Sequence, residues 1–142
     1  MTSLCGEIIQ TYEFIDVNHQ SFVAPENMIN AVKEYLKKPD MELGEVLNTV
    51  YHSLAASYKK AAEEIEKVTG RKFNRINIIG GGCRDSYLNA LTAEYTKKRV
   101  AAGPVEATAT GNIAAQLIYS KECQSLSDVR ELIKGSFVVN EV

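Results

Sequence analysis

The chain has no surplus of basic residues: 16 lysines and arginines stand against 18 acidic residues in 142 positions, for a formal charge of -2. Contact with many phosphates calls for a basic face, so nucleic acid is not an expected partner. Cysteine is scarce too. Cys5, Cys83 and Cys123 are odd in number and lack C-x-x-C spacing, which fits a reducing compartment, here the cytoplasm, better than a disulfide framework or a zinc site. No apolar run approaches the roughly 18 residues of a membrane span, and the N-terminus lacks a basic region followed by an apolar stretch. Neither a membrane nor a secretory route is expected. Low-complexity tracts, internal repeats and a linker are absent as well.

What remains has the make-up of an ordinary folded domain, with 45% hydrophobic and 24% charged residues. The length suits one domain, residues 1-142, with one core. It is small for an enzyme that must enclose two substrates.

The first two dozen residues show no sustained period, and a short strand or extended arm is the expectation there. Pro25 suits the first position of a helix. Met28, Ile29, Val32 and Leu36 follow at helical spacing, and Pro39 stops the run. Asp40 is then placed to cap a long helix with Leu43, Val46, Leu47, Val50, Leu54, Ala61, Ile65 and Val68 on one stripe. Gly70 marks its end. On its charged face Glu63 and Lys67 are four apart and can pair.

After Gly70 the period changes. "RINIIG" reads as a buried strand, Leu88, Leu91 and Tyr95 define a helix, and "RVAAGP" is a second strand closed by Gly103 and Pro104. "EATATGNIAAQLIYS" is a further helix, whose Ala107, Gly111 and Ala115 form a small stripe against which another element can pack. Ser125 and Asp128 give a capping-box pattern ahead of Val129, Leu132 and Ile133. Two helices, then strand, helix, strand, helix, helix predict an α/β architecture, helix-rich, with a sheet that is incomplete unless a further strand joins it.

The most informative stretch is "NIIGGGCRDSYLNAL". A strand that ends in Gly80, Gly81 and Gly82 and runs into a helix offers backbone N–H groups with no Cβ in the way, which is the chemistry of a nucleotide-binding turn. G-x-G-x-x-G would need glycine at position 85, where the chain has Asp85, and no G-K-S/T follows. The acidic Asp85 would repel phosphate, so a neutral part of a nucleotide, adenine or ribose, is the better match. A purely structural turn, needing a positive φ and close strand-to-helix packing, explains the glycines about as well.

"INIIGGGCRDSYLNALTAEYTKKRVAAGPVEATATGNIAAQLI" closely resembles the C-terminal domain of the FGGY family of sugar kinases, and within it the rhamnulokinase branch. "FIDVNHQSFVAPENMINAVKEYL" resembles the same branch in its I-D-x-N-x-x-x-F-x-x-P-x-x-M pattern, so the likeness extends from about Tyr12 onward. It implies the C-terminal, adenosine-side lobe of an actin-like, ribonuclease-H-like ATPase fold. Its partner would be an N-terminal lobe, absent from these residues, that carries the phosphate hairpin, most sugar contacts and the catalytic base. The implied cofactors are ATP and magnesium, the latter held mainly by that other lobe. The implied reaction is phosphorylation of L-rhamnulose to L-rhamnulose 1-phosphate, with the isolated chain inactive. Xylulose, fuculose or glycerol kinases of the family are alternatives, and so is a stand-alone interaction domain. Carried over position by position, the family's adenosine motif falls on Gly80, Gly81, Gly82 and Cys83, with Asp85 and Ser86 opening the next helix. Relatives often have asparagine where this chain has Asp85 or Ser86.

Other polar residues read as structural. Glu106 suits a helix cap and Thr108 a bond to a backbone carbonyl. His19 and His52 lack a metal spacing, and Asp16 and Asp40 have no evident partner that would make either a base. No catalytic residue and no metal ligand is assigned to this chain.

Overall fold

The computed structural model describes residues 13–137 and 139–141. The expected N-terminal strand or arm lies mostly outside these residues, as does Cys5. Contacts gather the chain into two compact units, one running to Lys72 and taking in Glu94–Lys97, the other made of Phe73–Ala93 and Lys98–Val142.

In the first unit a 3-10 turn, Gln20–Phe22, precedes helices α1 (Met28–Leu36) and α2 (Leu43–Thr69). The helix starts differ from those expected. Pro25 lies ahead of α1, and Asn27 caps it by accepting the Asn30 N–H at 3.0 Å. Asp40 likewise stands outside α2, which begins with a capping box between Glu42 and Glu45. In both cases the residue nearer the helix satisfies the orphan N–H groups, and the upstream candidate is left in the connection. α1 ends before Pro39, with Lys37 in the left-handed region at φ 58, and α2 ends on Gly70 at φ 67.

Ile15, Val32 and Val46 are the buried centre of this unit, with Phe22, Tyr35, Leu36 and Val50 packed around them. Only the first half of the α2 stripe is used. Val46 is buried and Leu47, Val50 and Leu54 are half-buried, whereas Leu43, Ala61, Ile65 and Val68 are exposed. The C-terminal half of α2 is therefore apolar on a face that no described residue covers. Its charges pair as Lys59 with Glu63 and Lys60 with Glu64, at 3.8 and 3.9 Å, in place of the expected Glu63 and Lys67. Buried Glu66 instead accepts Lys72 Nζ at 2.7 Å across the helix end, which raises the lysine pKa.

The second unit holds a three-stranded sheet. β1 (Arg75–Ile78) pairs in parallel with β2 (Arg99–Ala102), which pairs antiparallel with β3 (Asn140–Glu141). The missing strand of the sequence reading is this C-terminal one, too short to leave a periodic signal. β2 is central, with Val100, Ala101 and Ala102 all buried. β1 is an edge strand among the described residues and only half-buried, not the buried strand its composition suggested. Arg75 and Glu141 make an ion pair at 3.4 Å that ties the outer strands together over β2.

Three helices complete the chain: α3 (Ser86–Thr96), α4 (Ala107–Tyr119) and α5 (Leu126–Ser136). The Ser125–Asp128 capping box forms as expected, and Val129 is buried on α5 while Leu132 is half-exposed. On α4 the small stripe is not packed: Gly111 and Ala115 are exposed, and a Cβ on Gly111 would meet nothing within 4 Å. The architecture is α/β and helix-rich with a small sheet, and up to α5 the helices and strands follow the order expected, β3 being the addition.

Candidate nucleotide-binding turn

β1 delivers the chain to Gly80, whose N–H donates to the Pro104 carbonyl at 3.1 Å, just after Gly103 N–H has met Ile78 O at 2.8 Å. The turn thus begins where the two parallel strands end. Gly80 has φ 79 and ψ -167, a backbone state that essentially only glycine occupies without strain. Gly81–Arg84 then form a 3-10 turn, closed by Cys83 N–H to Gly80 O and Asp85 N–H to Gly82 O, both at 3.1 Å.

Gly81 and Gly82 are a different case. Neither has a positive φ, and a Cβ built on either would meet no atom within 4 Å. Nothing in the described residues needs them to be glycine. Both are exposed, and no hydrogen bond from the N–H of either is found among the described residues. Two adjacent backbone donors are therefore without a partner among the described residues, on exposed main chain that carries no side chain.

The flanking residues sort by role. Cys83 is buried, its thiol inside and its carbonyl accepting Asn89 Nδ2 at 2.9 Å. Asp85 caps α3, its Oδ1 accepting Leu88 N–H at 3.1 Å while its carbonyl accepts Asn89 N–H. The capping bond occupies one oxygen of the carboxylate that would otherwise oppose a phosphate. Ser86, first residue of α3, is exposed. The structure therefore brings Gly80, Gly81, Gly82 and Ser86 to one turn with exposed backbone at Gly81 and Gly82, and turns Cys83 inward. Asn89, which bonds the turn at the Cys83 carbonyl, carried no signal in the sequence beyond its place in the stretch that resembles the family.

The other polar candidates serve the fold. Glu106 occupies the cap position of α4 without a side-chain capping bond, and it is Thr110, not Thr108, whose hydroxyl donates to a carbonyl, that of Glu106, at 2.7 Å. His19 caps the Gln20–Phe22 turn through Nδ1 and packs its ring against Tyr35, centroids 5.0 Å apart. His52 Nδ1 lies 2.8 Å from Tyr95 Oη, and burial lowers its pKa from 6.5 against the opposing influence of Glu94. Asp16 Oδ1 accepts the Asn18 N–H within a turn. Among the described residues no group of three or more His, Cys, Asp or Glu side chains is placed to hold a metal ion. No helix among them is long and apolar enough to cross a membrane.

Fold and turn together define an α/β domain that presents bare main chain at the C-terminal end of parallel strands, the usual location for a nucleotide in such sheets. Residues 14–119 match the model of the C-terminal domain of the FGGY family of carbohydrate kinases, and the chain belongs to that family. Among curated relatives it is 45% identical over 129 residues to a rhamnulokinase of Halalkalibacterium halodurans, covering 88% of this chain and 28% of the relative. It is 38% identical over 131 residues to a rhamnulokinase of Bacillus subtilis (89% and 27%), and 33% identical over 141 residues to one of Lactiplantibacillus plantarum (96% and 29%). The chain thus spans between 27% and 29% of the length of these relatives.

Proposed function

We propose that this chain is the adenosine-side part of an ATP-dependent kinase that converts L-rhamnulose to L-rhamnulose 1-phosphate. The single observation that carries the reading is the pair Gly81 and Gly82. Glycine stands at two positions where no described residue requires it, on backbone whose N–H groups have no partner among the described residues. A ligand lying against the main chain there accounts for both facts. The sugar assignment is supported by likeness to relatives named rhamnulokinase at 33 to 45% identity.

In this reading the residues fit one end of the nucleotide. Gly81 and Gly82 receive adenosine on bare backbone, Gly80 sets the direction of the turn, and Ser86 offers a hydroxyl beside it. ATP, when bound, supplies the phosphoryl group, and magnesium neutralises its phosphates. The domain takes the place of one lobe of an actin-like ATPase fold. The catalytic base and most sugar contacts belong to an N-terminal lobe, and alignment of hydroxyl and phosphorus is achieved when the lobes close, because phosphoryl transfer depends mainly on positioning and charge stabilisation.

The test is a titration of ATP into the protein and into Gly81→Val and Gly82→Val variants by calorimetry. Each valine places carbon where nothing now stands, so both variants are expected to fold normally and to lose ATP affinity by about tenfold or more. Unchanged affinity in both would remove the nucleotide from this turn. Phosphorylation of L-rhamnulose, measured against xylulose, fuculose and glycerol with the full-length gene product, decides the substrate.

A further inference from the structure

Asn89 lies one turn into α3 and is 3% exposed. Its Nδ2 donates to the Cys83 carbonyl at 2.9 Å, yet its Oδ1 is fully buried and has no hydrogen-bond partner in the described residues. An unpaired buried amide oxygen costs more than one neutral hydrogen bond returns. Asparagine is also a weaker helix former than leucine, which has nearly the same volume. Leucine would remove that orphan oxygen but leave the buried Cys83 carbonyl without its donor, so stability alone gives no reason to prefer asparagine. What asparagine supplies and leucine cannot is a donor that fixes the Cys83 carbonyl.

That carbonyl needs fixing. The Gly81–Arg84 turn is held by bonds of 3-10 type, whose geometry is poor. Gly81 and Gly82 have no side chains to pack, so nothing on the outer face restrains their peptide planes. The restraint comes from inside, through Asn89. We propose that Asn89 is a positioning residue for nucleotide binding: it pins the turn from within the fold, so that the N–H groups of Gly81 and Gly82 stay presented, without itself touching the ligand. The inference rests on the reading of Gly80–Gly82 as the nucleotide turn.

The experiment uses the full-length gene product and its Asn89→Leu, Asn89→Asp and Gly82→Val variants. ATP affinity is read by calorimetry, stability by thermal melting, and the KM of the sugar in parallel. Asn89→Leu is expected to melt close to the parent temperature, one buried orphan replacing another, while ATP affinity falls about tenfold and the sugar KM holds. A merely structural residue gives the opposite pattern, a lower melting temperature with ATP affinity intact, and that result overturns the proposal. Asn89→Asp keeps the shape but donates only when protonated, so its loss of ATP affinity is expected to shrink as pH falls; a pH-independent loss identical to that of Gly82→Val counts against the pin. If Gly82→Val itself leaves ATP affinity unchanged, the nucleotide reading of the turn fails, and the role of Asn89 falls with it. If Gly82→Val weakens ATP but neither Asn89 variant does, the turn stands and the pin alone is wrong.

Discussion

Gly80 and Gly82 exclude side chains for different reasons. At Gly80 the reason is conformational, so Gly80→Ala is expected to destabilise by about 1–3 kcal/mol. At Gly82 the space is open and φ is not positive, so Gly82→Val is expected to change stability by no more than about 0.5 kcal/mol. Denaturant midpoints of the two variants check the contrast. Thr49 provides another residue-scale case. Its hydroxyl, on α2, is fully buried without a hydrogen-bond partner among the described residues, and Thr49→Val removes that orphan while keeping the shape. A gain of about 1 kcal/mol or more is expected in the same measurement. His52 gives the pH dependence. Burial lowers its folded-state pKa below 6.5, so the unfolded chain takes up the proton first. The stability it contributes is complete above that value and is lost as pH falls through the folded pKa. A melting temperature that drops on acidification, with a smaller drop in His52→Gln, is the expected outcome.

At the scale of elements, the helix ends separate what the residues announced from what they did not. The Ser125–Asp128 box and the Gly70 terminus were legible because both act within a few residues, the box through side chains on nearby backbone and Gly70 through its own freedom to take positive φ. Ser125→Ala is expected to cost about 1 kcal/mol, read from chemical denaturation. The true starts of α1 and α2, at Asn27 and Glu42, were obscured two residues upstream by Pro25, which suits a first helical position, and by Asp40, which suits a cap. Lys37, Lys97 and Lys121 all adopt positive φ, where glycine is the usual sign of a helix end; the end at Lys37 is marked only by Pro39 beyond it, and the other two lack the glycine sign. β3 was missed for a similar reason: two residues show no alternation, and only pairing with Ala101 and Ala102 makes them a strand.

At the scale of the whole molecule, the distribution of apolar surface is the main finding. In the first unit Val68 is 86% exposed on the far half of α2; in the second, Tyr119 is 92% exposed and Ile79 is 60% exposed next to the glycine turn. The stripe on α2 is as regular as that of a buried helix, and periodicity alone cannot tell a face already covered from one still bare. The two-lobe reading proposed above would place a second lobe against such faces. The isolated chain is therefore expected to self-associate in sedimentation, to bind ATP more weakly than the full-length product, and to phosphorylate no L-rhamnulose. Turnover by the purified chain would contradict the two-lobe reading.

By itself the sequence determined the order of elements, the α/β class and the place of the glycine turn, because these follow from hydrophobic period, caps and glycine acting over a few residues. Only the tertiary structure separated Gly80 from Gly81 and Gly82, turned Cys83 inward and set Asn89 beneath the turn. Those distinctions depend on which atoms from β2, α3 and the Pro104 segment come within bonding distance, and no local pattern encodes that distance.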